Sequence, residues 1–414
     1  MVDSAGSSGK KVSYQGKEYD YVFDVDIEDG KPPLKLPYNL SMNPYDAATK
    51  FLGDNELPIS YLDNVANFIT QNTQGATLGQ TADAPSSDPY GTDARYIPGQ
   101  SSQPAKPKYL PHTEFLSLTN SKLEPALARL KTVNTKHIQA GNKHIAMNPD
   151  SVEVLEGLVK QLLQPASAAG KLTNLDASKT ILLTIITQWP YADRLPALDI
   201  LRCLAAWPAA ASITDDRYGD IVDIAVRGAL DVEDTVSAEG SLSDLVANKL
   251  DATKANANSV MMALRTIVNL FKLDDGRKLV ASKAGELLSL MGHVVGLDGD
   301  KGVIGAENNN FQIALTSAAF NLACLFYRER KVDANLDEIA LLIMIVEATV
   351  RKQKDPEVLF RALMALGMVL SIGEQPVAEA KKQGVDAWLR EVIGQTPEQR
   401  LKDVAQECLA YIRA

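Results

Sequence analysis

The sequence predicts a mostly α-helical protein, in which a small α+β domain precedes an armadillo-like α-solenoid. The first observation is that apolar residues recur at helical spacing in many segments from residue 109 onward, with no strand pattern between them. The second is a group of polar residues that returns at a similar place on several of these helices. The third is a period-two pattern near the amino terminus, which is typical of a half-buried strand.

The small domain is predicted over residues 11–74, after a disordered tail at residues 1–10. Its first strand is YDYVFDVDI, residues 19–27, where apolar and acidic residues alternate so that one face is buried. A turn and a second extended piece, LKLPYN, follow. A helix then begins at Pro44, directly after an asparagine that suits the N-cap position. A second helix is predicted over residues 59–72.

A linker is predicted over residues 75–108. This segment is rich in proline, glycine, serine and glutamine and has no sustained periodicity. It offers too little apolar surface to offset the entropy that is lost on ordering. The solenoid is then predicted over residues 109–414, where several helices begin with Asn-Pro, Asp-Pro or Thr-Pro signals.

A polar stripe crosses the predicted solenoid. Residues three or four apart share one face of a helix, so each part of the stripe is a narrow polar ridge on an otherwise apolar helix. Successive ridges lie at spacings comparable with armadillo and HEAT repeats of about 40–47 residues, with longer steps where loops intervene. The ridges consist of Asp199 with Arg202, Arg265 with Asn269, Ser317 with Asn321, and Arg361.

Two interpretations of the stripe stay open for any single residue. An arginine on an apolar helix often reaches solvent or pairs with a carboxylate, and Asp199 is placed to pair with Arg202. A row of guanidinium groups also suits the carboxylates of a peptide, and asparagine side chains suit its backbone N–H and C=O groups. For the row as a whole, we predict a groove that binds an extended peptide.

The composition argues against several classes of function. Hydrophobic residues make up 45% and charged residues 23% of the chain, as in ordinary globular domains. The net charge of −10 is not accompanied by a basic domain, so no nucleic-acid partner is expected. No apolar run is long enough for a membrane span, so no membrane insertion is expected, and no secretory signal core opens the chain.

No catalytic or metal-binding pattern is recognised. The phosphate-binding, dinucleotide-binding, serine-hydrolase and zinc-protease motifs are missing from the sequence. His137 and His144 have no neighbouring ligands to complete a zinc site. We therefore predict a protein that is not an enzyme and uses no cofactor and no metal. Cys203, Cys324 and Cys408 lie in apolar helices and predict buried thiols in a reducing compartment, the cytoplasm and nucleus.

Two regions of the chain resemble domains of one known family. YDYVFDVDIEDGKPPLKLPYNLSMNPYDAATKFLGDNELPISYLDNVANFITQNT closely resembles the PFU domain, the ubiquitin-binding module of the PLAA (phospholipase-activating protein) family. The region that begins YLPHTEFLSLTNSKLEPALARLKTVN is similar to the PUL domain of the same family. The resemblance implies an armadillo-like superhelix that binds the carboxy-terminal tail of valosin-containing protein, an AAA ATPase. Family members carry a WD-repeat propeller ahead of PFU, so we expect this chain, which lacks it, to be a carboxy-terminal fragment or a truncated gene product.

The resemblance also implies a ubiquitin-binding surface on the small domain. Phe51 and Phe68 match the aromatic positions through which PFU domains are thought to engage ubiquitin. Composition alone would place both rings in a core. In so small a domain, however, not every aromatic ring is fully buried, and an exposed apolar patch would mark a partner surface.

The candidate residues for the ATPase tail come from two sources. Arg202 and Arg361 match groove arginines of PUL domains that are implicated in holding the tail. Asn269, Asn321 and Arg265 are added by the polar stripe and not by the resemblance.

These observations together predict a non-catalytic adaptor. Its partners would be ubiquitin and the tail of the valosin-containing-protein ATPase, in ubiquitin homeostasis and in ubiquitin-dependent degradation or sorting. Two alternatives stay open: a regulator that stimulates a phospholipase, and a general helical-repeat scaffold.

Overall fold

A computed structural model of the chain confirms the predicted fold class, a helical domain that follows a small domain with short strands. The predicted tail and residues 75–107 of the predicted linker lie outside the described residues. The structure describes residues 12–14, 16–25, 34–39, 42, 44–55, 57, 61–62, 65–66, 68–69, 73, 108–112, 114–119, 123–164, 172–230, 255–297, 302–329 and 336–413.

The small domain contains two antiparallel hairpins and a helix. The predicted strand over residues 19–27 is divided between the two hairpins. The break lies at Asp20, whose backbone N–H donates to Oδ1 of Asn39 at 2.9 Å. In the second hairpin Tyr21, Phe23 and Val25 are half-buried and pack on the core, as the alternation predicts. The elements are β1 (Val12–Tyr14), β2 (Lys17–Tyr19), β3 (Tyr21–Val25), β4 (Leu34–Tyr38) and α1 (Pro44–Asp54).

Helix α1 completes the core of the small domain. It packs against β4 and buries Ala48 and Leu52 beside Leu36. The second predicted helix, over residues 59–72, is described only in part, and its described apolar residues include the buried Ile69. Burial of this kind stabilises a fold by about 25 cal/mol for each Å² of apolar surface removed from water.

The helical domain consists of fourteen further α-helices among the described residues. Some begin with a side-chain cap that the sequence supplies, such as Asn148, Asn256 and Asp355, each of which accepts a backbone N–H in the first turn. The helices are α2 (Leu123–Gln139), α3 (Pro149–Leu162), α4 (Leu175–Gln188), α5 (Leu195–Leu204), α6 (Ile221–Ala229), α7 (Ala257–Leu270), α8 (Asp274–Ala281), α9 (Ala284–Val295), α10 (Asn309–Glu329), α11 (Leu336–Lys352), α12 (Pro356–Leu370), α13 (Glu374–Lys382), α14 (Val385–Gln395) and α15 (Gln399–Arg413).

Five of these helices pack side by side in chain order, and we call them the central layer: α5, α7, α10, α12 and α15. The remaining helices cover this layer; α6 packs on α7, α11 and α13 pack on α12, and α14 packs on α15. Helix α10 lies between α7 and α12 and is buried along most of its length, from Phe311 to Phe326. This arrangement agrees with the stacking of helices predicted for an armadillo-like solenoid.

The sequence pattern did not predict a small strand pair that precedes α6. Thr214–Asp215 (β5) pairs antiparallel with Gly219–Asp220 (β6). Gly219 has φ +83°, and a Cβ at this position would lie 2.2 Å from Oδ2 of Asp223. That carboxylate closes a capping box with Asp220 at the start of α6. Glycine is therefore needed here for both the turn and the close approach.

Cys203, Cys324 and Cys408 are all buried free thiols, which confirms their predicted placement in the core. Burial raises the pKa of the Cys324 and Cys408 thiols well above the ordinary range, so both stay protonated. In the described part of the chain, no helix combines the length and the apolar character that crossing a bilayer requires.

Candidate functional site

An extended segment of the chain lies across the central layer. It consists of residues 108–112 and 114–118, and we call it the extended segment. It crosses the helices in the reverse of their order along the chain. It contacts α15 first, then α12, α10, α7 and finally α5. The polar stripe predicted from the sequence therefore does meet an extended backbone, but that backbone belongs to the same chain.

Two asparagine side chains bind this backbone in the same way. Asn321 of α10 accepts the N–H of Leu116 at 2.8 Å and donates to its C=O at 2.9 Å. Asn269 of α7 accepts the N–H of Leu118 at 2.6 Å and donates to its C=O at 3.0 Å. The two bound residues are two positions apart, so both face the helices as alternate residues of an extended chain do. Both carboxamides are fully buried, with 0% exposure.

Arg202 of α5 holds the end of the extended segment. Its Nη1 donates to the C=O of Leu118 at 2.9 Å, and its Nε donates to Oδ1 of Asp199 at 2.6 Å. Asn269 also donates to the C=O of Arg202 at 2.8 Å, which joins the two helices directly. The Arg202 side chain is 4% exposed. Both predicted interpretations of this residue apply, because it pairs with Asp199 and also binds a backbone.

The start of the extended segment is held by α15. The Glu407 carboxylate accepts the backbone N–H groups of Lys108, Tyr109 and Leu110 at 2.6 to 3.2 Å. Burial raises the pKa of the Glu407 carboxyl, and these three hydrogen bonds partly offset that shift because they favour the charged form.

Helix α12 brings its backbone close to the extended segment. A Cβ at Gly367 would lie 2.1 Å from Cδ1 of Leu110. A glycine in the middle of a helix normally costs about 1 kcal/mol relative to alanine, so its presence here is explained by the approach of Leu110. At the next residue, Sδ of Met368 lies 3.0 Å from the backbone nitrogen of His112.

The small domain covers the other side of the extended segment. Nδ1 of His112 lies 3.0 Å from Oδ1 of Asp46 on α1. The hydroxyl of Ser117 donates to Oδ1 of Asp54 at 3.3 Å, at the end of the same helix. The extended segment is therefore enclosed between α1 and the central layer.

These contacts correct the expectation of an open groove at part of the stripe. Arg202, Asn269 and Asn321 are buried and bonded to the extended segment, so in this structure they do not face an empty channel. The sequence held a signal for this arrangement, since apolar and polar residues alternate in the stretch LSLT, residues 116–119, that contains Leu116 and Leu118.

A second line of side chains lies one or two helical turns earlier on the helices of the central layer, and we call it the arginine row: Arg265, Ser317, Arg361 and Arg400. Arg265 and Ser317 stand four positions before Asn269 and Asn321 on the same helices. Nη1 of Arg361 donates to the hydroxyl of Ser317. The structure thus divides the predicted stripe into two adjacent lines, one occupied by the extended segment and one beside it.

Arg400 belongs to the arginine row, although no pattern in the sequence selects it. Its side chain is 5% exposed and its Nε donates to Glu398. Its guanidinium lies 5.1 Å from the centroid of the Phe360 ring. Glu357 joins it to Arg361, because Oε1 lies 2.7 Å from Nε of Arg361 and Oε2 lies 3.7 Å from Nη1 of Arg400.

The two predicted ubiquitin-contacting phenylalanines lie in different environments. Phe51 is 3% exposed and belongs to the core, so it is not part of an exposed patch in this structure. Phe68 is half-buried, and its ring meets that of Phe23 edge to face at 5.4 Å. Phe23 in turn stacks on Tyr21 at 5.4 Å. The half-buried aromatic surface therefore consists of Tyr21, Phe23 and Phe68.

Two family models match the chain. The PUL domain model matches residues 110–407, and the model described as PFU (PLAA family ubiquitin binding) matches residues 1–77. A solved structure, the PFU-PUL domain pair of Saccharomyces cerevisiae Doa1/Ufd3, is similar over 96% of this chain and 100% of that chain, at 23% identity and a TM-score of 0.41.

Two known proteins are similar in sequence to most of this chain. Ubiquitin homeostasis protein lub1 of Schizosaccharomyces pombe is 28% identical over 383 residues, which is 92% of this chain and 45% of the relative. Phospholipase A-2-activating protein of Xenopus laevis is 25% identical over 447 residues, which is 95% of this chain and 50% of the relative. The chain thus spans about half the length of these two relatives.

The PFU match covers the small domain and the PUL match covers the helical domain that follows it. Domains and relatives together support a ubiquitin-related adaptor function. The chain is a member of the PLAA family and consists of a PFU domain followed by a PUL domain.

Proposed function

We propose that the chain is a non-catalytic adaptor that binds ubiquitin through its PFU domain and the carboxy-terminal tail of valosin-containing protein through its PUL domain. The observation that carries the proposal is the arginine row beside the extended segment. The central layer already binds one extended backbone by paired carboxamide contacts, and the arginine row supplies positive charge next to it. That combination suits an acidic peptide in extended conformation.

Arg361 is the residue of the row that best fits a contact with the tail. Its described hydrogen bonds use Nε, which donates to Glu357, and Nη1, which donates to Ser317. Its side chain is 11% exposed, which is more than the 4% of Arg202 and the 5% of Arg400. We assign Arg265, which is half-buried on α7 at the other side of α10, a contact with the same peptide. Arg202, Asn269 and Asn321 would support the site from beneath by holding the extended segment.

An adaptor of this kind acts by tethering. A ubiquitylated protein held by the PFU domain is kept near an ATPase held by the PUL domain, which raises its effective concentration there without any new contact. Such a role fits ubiquitin homeostasis, ubiquitin-dependent degradation and the sorting of ubiquitylated membrane cargo, in the cytoplasm and nucleus.

Replacing Arg361 by alanine is expected to weaken binding of the tail about tenfold, which corresponds to ~1.4 kcal/mol. The reason is the loss of charge-assisted hydrogen bonds to peptide carboxylates. The measurement is a fluorescence anisotropy titration of a labelled peptide with the tail sequence against the full chain. Arg390→Ala is the matched control, because Arg390 is 57% exposed and pairs with Asp386 on α14 at 3.0 Å. Equal affinity of the folded Arg361→Ala variant and the unaltered protein would remove this part of the proposal.

Replacing Phe68 by alanine is expected to weaken ubiquitin binding about tenfold, because half-buried aromatic rings are common anchors of interfaces. Binding is measured by NMR titration of labelled ubiquitin with the full chain. Ile138→Ala serves as the control, since Ile138 is a 46% exposed apolar residue on α2. Phe51→Ala is unsuitable, because removing a core ring typically costs 3–5 kcal/mol of stability. Undiminished chemical-shift changes with a folded Phe68→Ala variant would exclude the aromatic surface.

A further inference from the structure

Glu357 lies between two arginines of the arginine row and offers each of them one carboxylate oxygen. Oε1 is 2.7 Å from Nε of Arg361, in good hydrogen-bond geometry, whereas Oε2 is 3.7 Å from Nη1 of Arg400, beyond hydrogen-bond distance. The side chains of Glu357, Arg361 and Arg400 are 15%, 11% and 5% exposed. One internal carboxylate thus serves two guanidinium groups and satisfies only the first.

Arg400 is held in place independently of Glu357. Its Nε donates to Glu398, and its guanidinium lies over the Phe360 ring at 5.1 Å, a cation–π contact. That ring meets Tyr109 of the extended segment edge to face at 5.6 Å. The guanidinium is therefore fixed in orientation before any ligand binds. Nη1 is buried and has no hydrogen-bond acceptor among the described residues.

A buried donor without an acceptor is costly, by about 1–3 kcal/mol or more for a charged group. A second carboxylate could accept from Nη1 of Arg400 and from Arg361 together. A planar guanidinium presents its donors as a fork that matches a carboxylate. The guanidinium groups of Arg361 and Arg400 both lie beside Glu357. The chemistry selects a carboxylate over a neutral amide, since an amide supplies only one acceptor oxygen.

We infer that Arg361 and Arg400 form a carboxylate-binding pair and that Glu357 is an internal competitor for it. The ligand is a carboxylate of an acidic peptide, either an acidic side chain or the terminal carboxylate. The inference rests on the proposed function in that the peptide is the one expected along the arginine row. Glu357 would then set the affinity of the site, because a bound peptide must share or replace its contact with Arg361.

Chemical rescue tests the pair without any peptide. Removing the side chain in Glu357→Ala leaves both guanidinium groups without their shared carboxylate, and acetate is small enough to take its place. We expect 0.5 M sodium acetate to raise the thermal midpoint of Glu357→Ala by at least about 2 °C more than sodium chloride of equal concentration does. The unaltered chain should show no such difference. Glu347→Ala is the matched control, because Glu347 forms an exposed i,i+4 pair with Arg351 at 2.8 Å on α11.

Peptide binding supplies the second measurement. Glu357→Gln keeps the shape of the side chain but removes its charge, so it should bind the labelled tail peptide about fivefold more tightly, roughly 1 kcal/mol. Arg400→Met should bind it about tenfold more weakly and should also lose the acetate effect when it is combined with Glu357→Ala. Loss of binding on Glu357→Gln, or equal midpoints of Glu357→Ala in acetate and chloride, would overturn the inference. If Glu357→Ala does not fold, the titrations of Glu357→Gln and Arg400→Met with the labelled tail peptide decide the inference.

The two proposals fail in different ways. A full chain that does not bind the tail peptide would refute the proposed partner, whereas the acetate measurement would still decide whether Arg361 and Arg400 take a carboxylate. A third outcome is tail binding that depends on Arg361 and is unchanged by both Glu357→Gln and Arg400→Met. That result would support the proposed partner and refute the carboxylate-binding pair.

Discussion

Replacing Asn321 by alanine is expected to lower the free energy of unfolding by about 3 kcal/mol. The carboxamide of Asn321 satisfies both backbone groups of Leu116, and it is fully buried. Its removal leaves a buried N–H and a buried C=O without their partner, and each unsatisfied group costs about 1–3 kcal/mol. The measurement is unfolding of the full chain in urea, followed by circular dichroism.

Asn310 offers a matched control for this prediction. It lies on the same helix, α10, and is exposed, so Asn310→Ala should change stability by no more than about 0.5 kcal/mol. Asn269→Ala should cost about as much as Asn321→Ala, about 3 kcal/mol. Arg202 still donates to the C=O of Leu118 after the change, but the N–H of Leu118 and the C=O of Arg202 both lose their contact with the carboxamide. Equal stabilities of Asn310→Ala and Asn321→Ala would show that the carboxamide contacts do not hold the extended segment.

Replacing Arg202 by alanine is expected to destabilise the chain by about 3 kcal/mol. The guanidinium is 4% exposed and Asp199 is 21% exposed, so the change leaves a mostly buried carboxylate without its cation. Breaking such a pair by removing one partner costs about 3–5 kcal/mol, and the partial exposure of Asp199 places this case at the lower end. Urea unfolding of the full chain measures the effect.

The double variant Asp199→Leu with Arg202→Met separates charge from packing. Replacing both members of a buried pair by apolar residues is often nearly neutral, so the double variant should recover at least half of the stability that Arg202→Ala loses. Arg351→Ala removes an exposed cation and should cost less than about 1 kcal/mol. A double variant as unstable as Arg202→Ala would show that the pair contributes through the backbone contact with Leu118 alone.

These stability effects decide how binding data on the same residues are interpreted. Arg202→Ala perturbs the extended segment as well as any ligand, since its Nη1 bonds to Leu118. Arg361→Ala leaves the asparagine contacts with the extended segment in place, because its described bonds are to Glu357 and Ser317. Arg361 is therefore the better residue for testing the tail.

Much of the fold follows from the sequence because the helical pattern is strong. The apolar spacing, the Asn-Pro and Asp-Pro starts and the polar ridges place the solenoid helices, and the structure shows them. The division at Asp20 was missed, since a period-two pattern continues across it and only a contact with Asn39, distant in sequence, marks the break.

The candidate site was predictable only in part. The stripe correctly identified side chains that bind an extended backbone, but spacing along a helix does not tell which backbone arrives. The chain's own segment contacts residues 151 and 205 positions away, and no local pattern contains such a pairing. Arg400 was missed because it lies at the start of a helix with an ordinary polar sequence, and its role depends on Glu357 from another helix.

The reverse course of the extended segment also affects how the helical array unfolds. Repeat proteins normally lose their end repeats first, because each unit touches only its neighbours. Here Leu110 and Glu407 meet across 297 positions of sequence, while Leu118 is tied to α5 and α7. Unfolding of the last helix therefore releases the extended segment, which also contacts the early repeats. This contact couples the two ends of the helical array, so the array unfolds as one cooperative unit.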